Sequence, residues 1–201
     1  MRPILRGRDI KRYGYDFADL WLINTHNGIK EKGVKAIDVN DYPAIKNHLD
    51  KYYPQLEKRV DKGGTPHNLR NCAYMEDFYK QKILYSEITQ GSCFIFDEKA
   101  KYFMLQTGYI IIGDNLKYLL SLLNSKFIEW SFRKFYSIEL GSSGLRWLKQ
   151  YVENLPIPKP NKAIEQTIEQ LLENKNYKNI DKLVYEMYDL TDDEIEVIEN
   201  L

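Results

Sequence analysis

Cysteine is scarce: the 201 residues hold two, Cys72 and Cys93, far apart and in no C-x-x-C pair. That excludes a disulfide framework and a cysteine-built zinc site, and it fits a reducing, cytoplasmic setting. Histidine is almost as sparse: His26, His48 and His67 lie scattered, and neither cysteine has one beside it in sequence. The short signatures of nucleotide and hydrolytic chemistry are missing: no G-x-G-x-x-G, no Walker A loop, no G-x-S-x-G, no H-E-x-x-H. The acidic "DEK" at 97–99 reads as hairpin-turn chemistry, not as a nuclease carboxylate cluster. Long apolar runs are missing too. The most apolar stretch, Tyr109 to Trp130, is broken by Asp114, Lys117, Asn124, Lys126 and Glu129, so it cannot span a bilayer. The start, "MRPILRGRDIKRYGY", is charged throughout and lacks the apolar centre of a signal peptide. These absences argue against an enzyme, a metalloprotein and a membrane protein.

What is present is a globular composition, 43% hydrophobic, with sixteen tyrosines. Tyrosine offers rigid area with a hydroxyl at its tip, useful both as half-buried filler and at polar binding surfaces. Formal net charge is zero, but it is unevenly spread: residues 1–160 carry 25 Lys and Arg against 18 Asp and Glu, whereas 161–201 carry 4 against 11. A mildly basic body with an acidic tail suggests a division into 1–160 and 161–201.

Periodicity predicts an α+β fold with a mixed or antiparallel sheet flanked by helices and a helical C-terminal tail. Ile45, Leu49, Tyr52, Leu56 and Val60 fall at helical spacing, with Asp41 as a cap, Pro43 in the first turn and Pro54 dividing the segment. A polar loop, "DKGGTPHNLRN" (61–71), and a short helix over 75–80 follow. "KILYSEI" (82–88), "CFIFD" (93–97), "KYFML" (101–105) and "GYIIIG" (108–113) read as strands of one sheet, which "LWLIN" (20–24) is able to join. Asp114 or Asn115 caps a helix bearing Leu116, Leu119, Leu120, Leu123 and Phe127. A second helix from Asn124 and Ser125 carries Ile128, Phe132 and Phe135. "LRWLKQYVENLPIPKP" reads as a short helix stopped by Pro156. In the tail, Ile164, Ile168, Leu171 and Leu172 make one stripe and Ile180, Leu183, Val184 and Met187 another, and Thr191 with Glu194 forms a capping box.

Recognition chemistry is better represented than catalysis. Arg2, Arg6, Arg8, Lys11 and Arg12 crowd the start, followed by Tyr13 and Tyr15. His67, Asn68 and Arg70 sit in the polar loop. Arg133, Lys134, Ser142, Ser143, Arg146 and Trp147 fall in or beside "SFRKFYSIELGSSGLRW". Arginine can grip guanine with two bonds and asparagine adenine, while lysine and backbone N–H groups hold phosphate. Glycine and serine add little bulk and let a backbone approach a duplex, although such stretches also serve as plain turns. Arg146 is expected to open a helix and touch DNA, with Trp147 packed beside it.

Four segments in order, "LRGRDIKRY" (5–13), "LLSLLNSKFIEW" (119–130), "VENLPIPKP" (152–160) and "IDKLVYEMYDLTDDEI" (180–195), resemble one family. "YPAIKNHLDKYYPQLEKR" (42–59) and "KILYSEI" fit between them. The chain resembles the TaqI-like C-terminal specificity domain, the target-recognition region of adenine-specific DNA methyltransferases and type IIG restriction–modification enzymes. The resemblance implies sequence-specific recognition of double-stranded DNA. It implies a catalytic methyltransferase domain, in the same or a companion polypeptide, that carries S-adenosylmethionine and an N-P-P-Y-type motif. Neither that motif nor a glycine-rich cofactor loop is in this sequence, so no cofactor is expected in this chain and no turnover by it. Under the same resemblance "LRGRDIKRY" either contacts phosphate or packs against the methyltransferase domain. The rival readings are a structural module docking a methyltransferase or nuclease subunit and, more remotely, a hidden nuclease.

Overall fold

The computed structural model describes residues 1–136 and 144–200. In chain order the strands and helices are β1 (Arg2–Leu5), β2 (Ile10–Lys11), β3 (Gly14–Tyr15), β4 (Trp21–Leu22), α1 (Pro43–Asp50), α2 (Tyr53–Lys58), β5 (Lys82–Ser86), β6 (Ile88–Thr89), β7 (Phe94–Asp97), β8 (Phe103–Met104) and β9 (Gly108–Ile111). Then come α3 (Leu116–Leu123), α4 (Lys126–Ser131), β10 (Leu145–Arg146), α5 (Lys149–Val152), α6 (Lys162–Glu173), α7 (Tyr177–Met187) and α8 (Asp192–Glu199). The fold is α+β, with small sheets, flanking helices and a helical tail. No described helix is long and apolar enough to cross a membrane.

The chain divides into two compact units, Met1–Pro3 with Trp21–Glu76, and Ile4–Leu20 with Asp77–Leu201. The 1–160 and 161–201 division rests on charge, a surface property, whereas these units follow from which residues lie close together.

In the first unit Arg2 and Pro3 pair antiparallel with Leu22 and Trp21. "LWLIN" thus finds this partner and not the central sheet. Pro43 lies in the first turn of α1 and Pro54 in that of α2, where the missing N–H costs nothing. The cap of α1 is Tyr42, without a side-chain bond, and not Asp41, which ends a short 3-10 turn stabilised by Asp38. Neither helix has a buried residue.

The second unit is built on β5, which pairs antiparallel with β7 on one side and β9 on the other. All five β5 residues are buried. Alternation sends Ile83 and Tyr85 into one apolar cluster with Phe94, Leu120, Leu123, Ile128, Phe132 and Trp147. Leu84 enters another with Leu5, Ile10, Ile95 and Tyr102. "KYFML" contributes only β8, which runs parallel to Ile4 and Leu5, so the single larger sheet expected from the sequence is broken into small ones. "LRW" is likewise no helix: Leu145 and Arg146 form β10, antiparallel to β6. The helix begins at Lys149 with Leu148 as its cap.

Asn115 precedes α3 with a left-handed φ of 53°, and "NS" separates α3 from α4 as the sequence suggested. Ser125 caps α4, its Oγ accepting from the Ile128 N–H at 3.2 Å and donating to the Leu122 carbonyl at 2.7 Å. Because Ser125 is fully buried, Ser125→Ala is expected to cost about 1 kcal/mol, checked by chemical unfolding. The tail helices match their stripes. Ile168 of α6 and Ile180 and Val184 of α7 are buried with Tyr118 and Leu122 of α3, and α8 starts with the Thr191–Glu194 capping box.

Candidate nucleic-acid interface

In the first unit, two polar loops are stitched together. The Thr25 hydroxyl donates to the His67 carbonyl at 2.7 Å, and the Leu69 N–H donates to the Thr25 carbonyl at 2.9 Å. Asn27 accepts from the Gly64 N–H at 2.8 Å and donates to Asn71 at 2.7 Å. Glycine at 63 is required by this closeness, since a Cβ there would lie 2.5 Å from the Leu69 carbonyl oxygen. Asn68 is the centre of the knot. Its Nδ2 donates to the Ile37 carbonyl at 2.9 Å, its Oδ1 accepts from the Thr65 hydroxyl at 2.6 Å, and its carbonyl accepts from Arg59 at 3.0 Å. The side chain is buried and its bonding capacity is used inside the loop. His67 shares a 2.8 Å hydrogen bond with Asp50, whose pKa is held below the usual carboxylate range by Lys46 and His67. Arg70 is exposed. The structure thus separates three candidates that the sequence placed together: Asn68 and His67 fix the loop, and Arg70 faces solvent from it.

In the second unit the segment 5–13 is mostly occupied by its own fold. Arg6 pairs with Asp9 at 2.7 Å in a reciprocal cap around a 3-10 turn, which lowers the Asp9 pKa. Arg12 donates from Nε to the Asn124 carbonyl at 2.8 Å and from Nη2 to both Asp181 oxygens at 3.0 Å. Asp181 also accepts from the Lys126 N–H at 2.9 Å. Asn124 in turn clasps the Phe94 backbone, accepting from its N–H at 3.0 Å and donating to its carbonyl at 2.9 Å. Tyr13 lies flat on Tyr177, 4.0 Å between centroids. The carbonyls of Pro156 and Pro158 accept from the Tyr188 and Tyr118 hydroxyls, each at 2.8 Å. Polar contacts therefore tie the start to α3, α4 and the tail, and separate tyrosine hydroxyls of α3 and the tail hold the proline connector. Arg8 stays exposed.

A second group lies where α4 runs into a π-helical turn, Phe132–Tyr136. Phe132 is buried against Trp147, 3.8 Å between stacked rings. Arg133 reaches Glu129 at 3.5 Å, and Lys134 and Phe135 are exposed. The expectation that Phe135 shares the face of Ile128 and Phe132 fails here. Bonding from i to i+5 winds more residues into the turn than the 3.6 of an α-helix, which swings a residue three positions on away from the core. Arg146 projects from β10 and pairs with Glu87 at 2.7 Å, its side chain still 49% exposed. Gly144 has φ of +98°, and a Cβ would lie 2.2 Å from the Thr89 carbonyl oxygen, so that glycine serves the chain's own packing. Ser142 and Ser143 lie outside the described residues.

No group of three or more acidic, histidine or cysteine side chains able to hold a metal occurs among the described residues. Asp97, in the "DEK" turn, is buried against Lys82 and accepts from the N–H groups of Lys101 and Tyr102. These features describe an α+β module whose polar loops are held by their own hydrogen bonds and in which Arg8, Arg70 and Lys134 are exposed. The particular family follows from comparison: the model of the TaqI-like C-terminal specificity domain matches residues 2–157, and the chain belongs to that family. It is similar to the Type II methyltransferase M.BstVI of Geobacillus stearothermophilus, 25% identical over 208 aligned positions. Those positions cover 98% of this chain and 36% of that relative, so the chain spans little more than a third of its length.

Proposed function

We propose that this chain is the double-stranded DNA recognition module of an adenine-specific DNA methyltransferase or type IIG restriction–modification enzyme, and does not itself turn over substrate. The observation that carries the reading is the specificity-domain match across residues 2–157, which reaches into each compact unit. A methyltransferase domain, in the same or a companion polypeptide, supplies S-adenosylmethionine and the chemistry. The side chains divide by role. Arg6, Arg12, His67 and Asn68 position loops and segments. Arg8, Arg70, Arg133, Lys134 and Arg146 face the nucleic acid, with Arg146 exchanging Glu87 for a base edge or a phosphate.

Anisotropy titration of the full chain against labelled random duplex at several salt concentrations tests this. Each neutralised phosphate contributes about −0.9 to the slope of log K against log salt, so a slope of several units is expected. Arg146→Ala is expected to make that slope shallower by about one if the guanidinium holds phosphate. If it reads guanine, the cost is about 1–3 kcal/mol on the cognate duplex alone. Binding that ignores salt would instead favour a module that docks protein.

A further inference from the structure

We infer that Phe135 is an apolar wedge that stacks on a base at an opened step of the duplex, with Lys134 and Arg133 on the neighbouring phosphates. The inference rests on the DNA-recognition reading above and deepens it. Phe135 is 72% exposed, more than any other aromatic side chain among the exposed residues of the described chain. Singly exposed apolar residues are ordinary on protein surfaces, but three features set this one apart.

The first is rigidity. The π-helical turn that carries Phe135 is pinned from below by Phe132, which has no exposure and stacks on Trp147, and by Tyr136, whose ring lies parallel to Phe132 at 6.1 Å. Trp130 buttresses the Phe135 ring itself, edge to face at 5.7 Å and 80°. An aromatic ring held this way loses little freedom on contact. The second is that the outward direction comes from the turn type. Regular α-helical continuation would direct position 135 toward the face of Ile128 and Phe132, and inserted π-turns recur at functional positions. The third is charge. Arg133 and Lys134 immediately precede the ring, and Glu129, the acidic group paired to Arg133 at 3.5 Å, is also tied to the Ser92 N–H at 2.8 Å. An exposed ring beside two cations matches an anionic polymer with aromatic faces. Stacking on a side chain stabilises an unstacked base by about 1–3 kcal/mol, independent of which base it is. Apolar wedges of this kind insert between base steps and partly unstack them, which costs least where a mismatch or an extruded nucleotide has already loosened the step.

The test uses the full chain and two labelled duplexes of identical sequence, one fully paired and one with a single central mismatch, titrated by anisotropy at several salt concentrations. A mismatch lowers the cost of unstacking. The wild-type chain is expected to bind the mismatched duplex about tenfold more tightly, the equivalent of one recovered stack. Phe135→Ala is expected to bind the two duplexes equally with an unaltered salt slope, and Phe135→Trp to keep the preference. Lys134→Ala is expected to keep the preference and show a slope shallower by about one. Thermal unfolding of each variant should match wild type, because neither side chain is buried. Two results overturn the wedge while leaving DNA recognition standing: salt-dependent binding without mismatch preference, or a preference that survives in Phe135→Ala. Concentration-dependent dimers that Phe135→Ala abolishes would assign the ring to a second copy and also overturn it. No salt-dependent binding to either duplex overturns the wedge and the recognition reading together.

Discussion

Lys82→Met should destabilise the protein by about 3–5 kcal/mol, although it removes almost no volume. Lys82 and Asp97 face each other across β5 and β7, with side-chain exposures of 0% and 3%. The lysine Nζ donates to Asp97 Oδ2 at 2.7 Å and to the Phe78 carbonyl at 2.8 Å. Asp97 also accepts from the Lys101 and Tyr102 N–H groups. Without the ammonium, the carboxylate keeps two amide donors and no counter-charge in a dry interior. The expected loss is thus the cost of an unpaired charge, not of a cavity. Adding Asp97→Asn should return part of it, because neither charge is then buried while the Oδ1 acceptor for the backbone remains. The pH dependence has a defined sign. Burial lowers the Lys82 pKa below 10.5, with Asp97 opposing. Between the lowered value and 10.5 the unfolded chain binds more protons than the folded one, so Lys82 makes stability rise with pH across that interval. The Lys82→Met protein should lack that rise. Chemical unfolding over a pH series measures both effects, and a variant within 1 kcal/mol of wild type would show that the pair is not a maintained charge pair.

The helices were more legible in the sequence than the sheets. The α6 and α7 stripes, the division at Pro54, the break at Asn124 and Ser125, and the Thr191–Glu194 cap all depend on residues within a turn or two of each other. The strand runs were visible but their partners were not: β8 pairs with β1, nearly a hundred residues away, and nothing in "KYFML" encodes that choice. The acidic tail, set apart by charge in the sequence, is fastened to the basic start through Arg12 and Asp181. The same long-range bonding separated the candidate residues. "RGRDIKR" and "HNLR" look like recognition loops as strings, but only the structure shows that Arg6, Arg12 and Asn68 bond to partners within the fold. Phe135 was read as a core residue by extending a 3.6-residue period through a turn that abandons it.

Trp147→Ala should cost about 3–5 kcal/mol, in contrast to its neighbour Arg146. The indole is 1% exposed, stacked on Phe132 at 3.8 Å and edge-on to Phe94 at 5.1 Å. Its backbone N–H donates to the Glu87 carbonyl at 2.6 Å, so the residue joins β10 to the segment beside β6 as well as filling the core. Truncation leaves a cavity between the central sheet, α4 and the π-helical turn, whose walls, Phe94 and Phe132, are themselves held and cannot collapse inward. Trp147→Phe should cost much less, since the second ring keeps most of the contacts and the indole Nε1 has no hydrogen-bond partner among the described residues. Arg146→Ala, by contrast, removes an exposed side chain paired to the half-buried Glu87 carboxylate and should change stability by no more than about 1 kcal/mol. DNA affinity should show the reverse order. Well below its melting temperature the Trp147→Phe protein should bind duplex as wild type does, whereas Arg146→Ala should bind more weakly. Paired measurements of chemical unfolding and duplex binding on these adjacent positions would separate a buried anchor from the contact it carries. A Trp147→Ala protein as stable as wild type would remove the indole from the core, and a loss of affinity in Trp147→Phe equal to that in Arg146→Ala would assign the indole to the DNA surface.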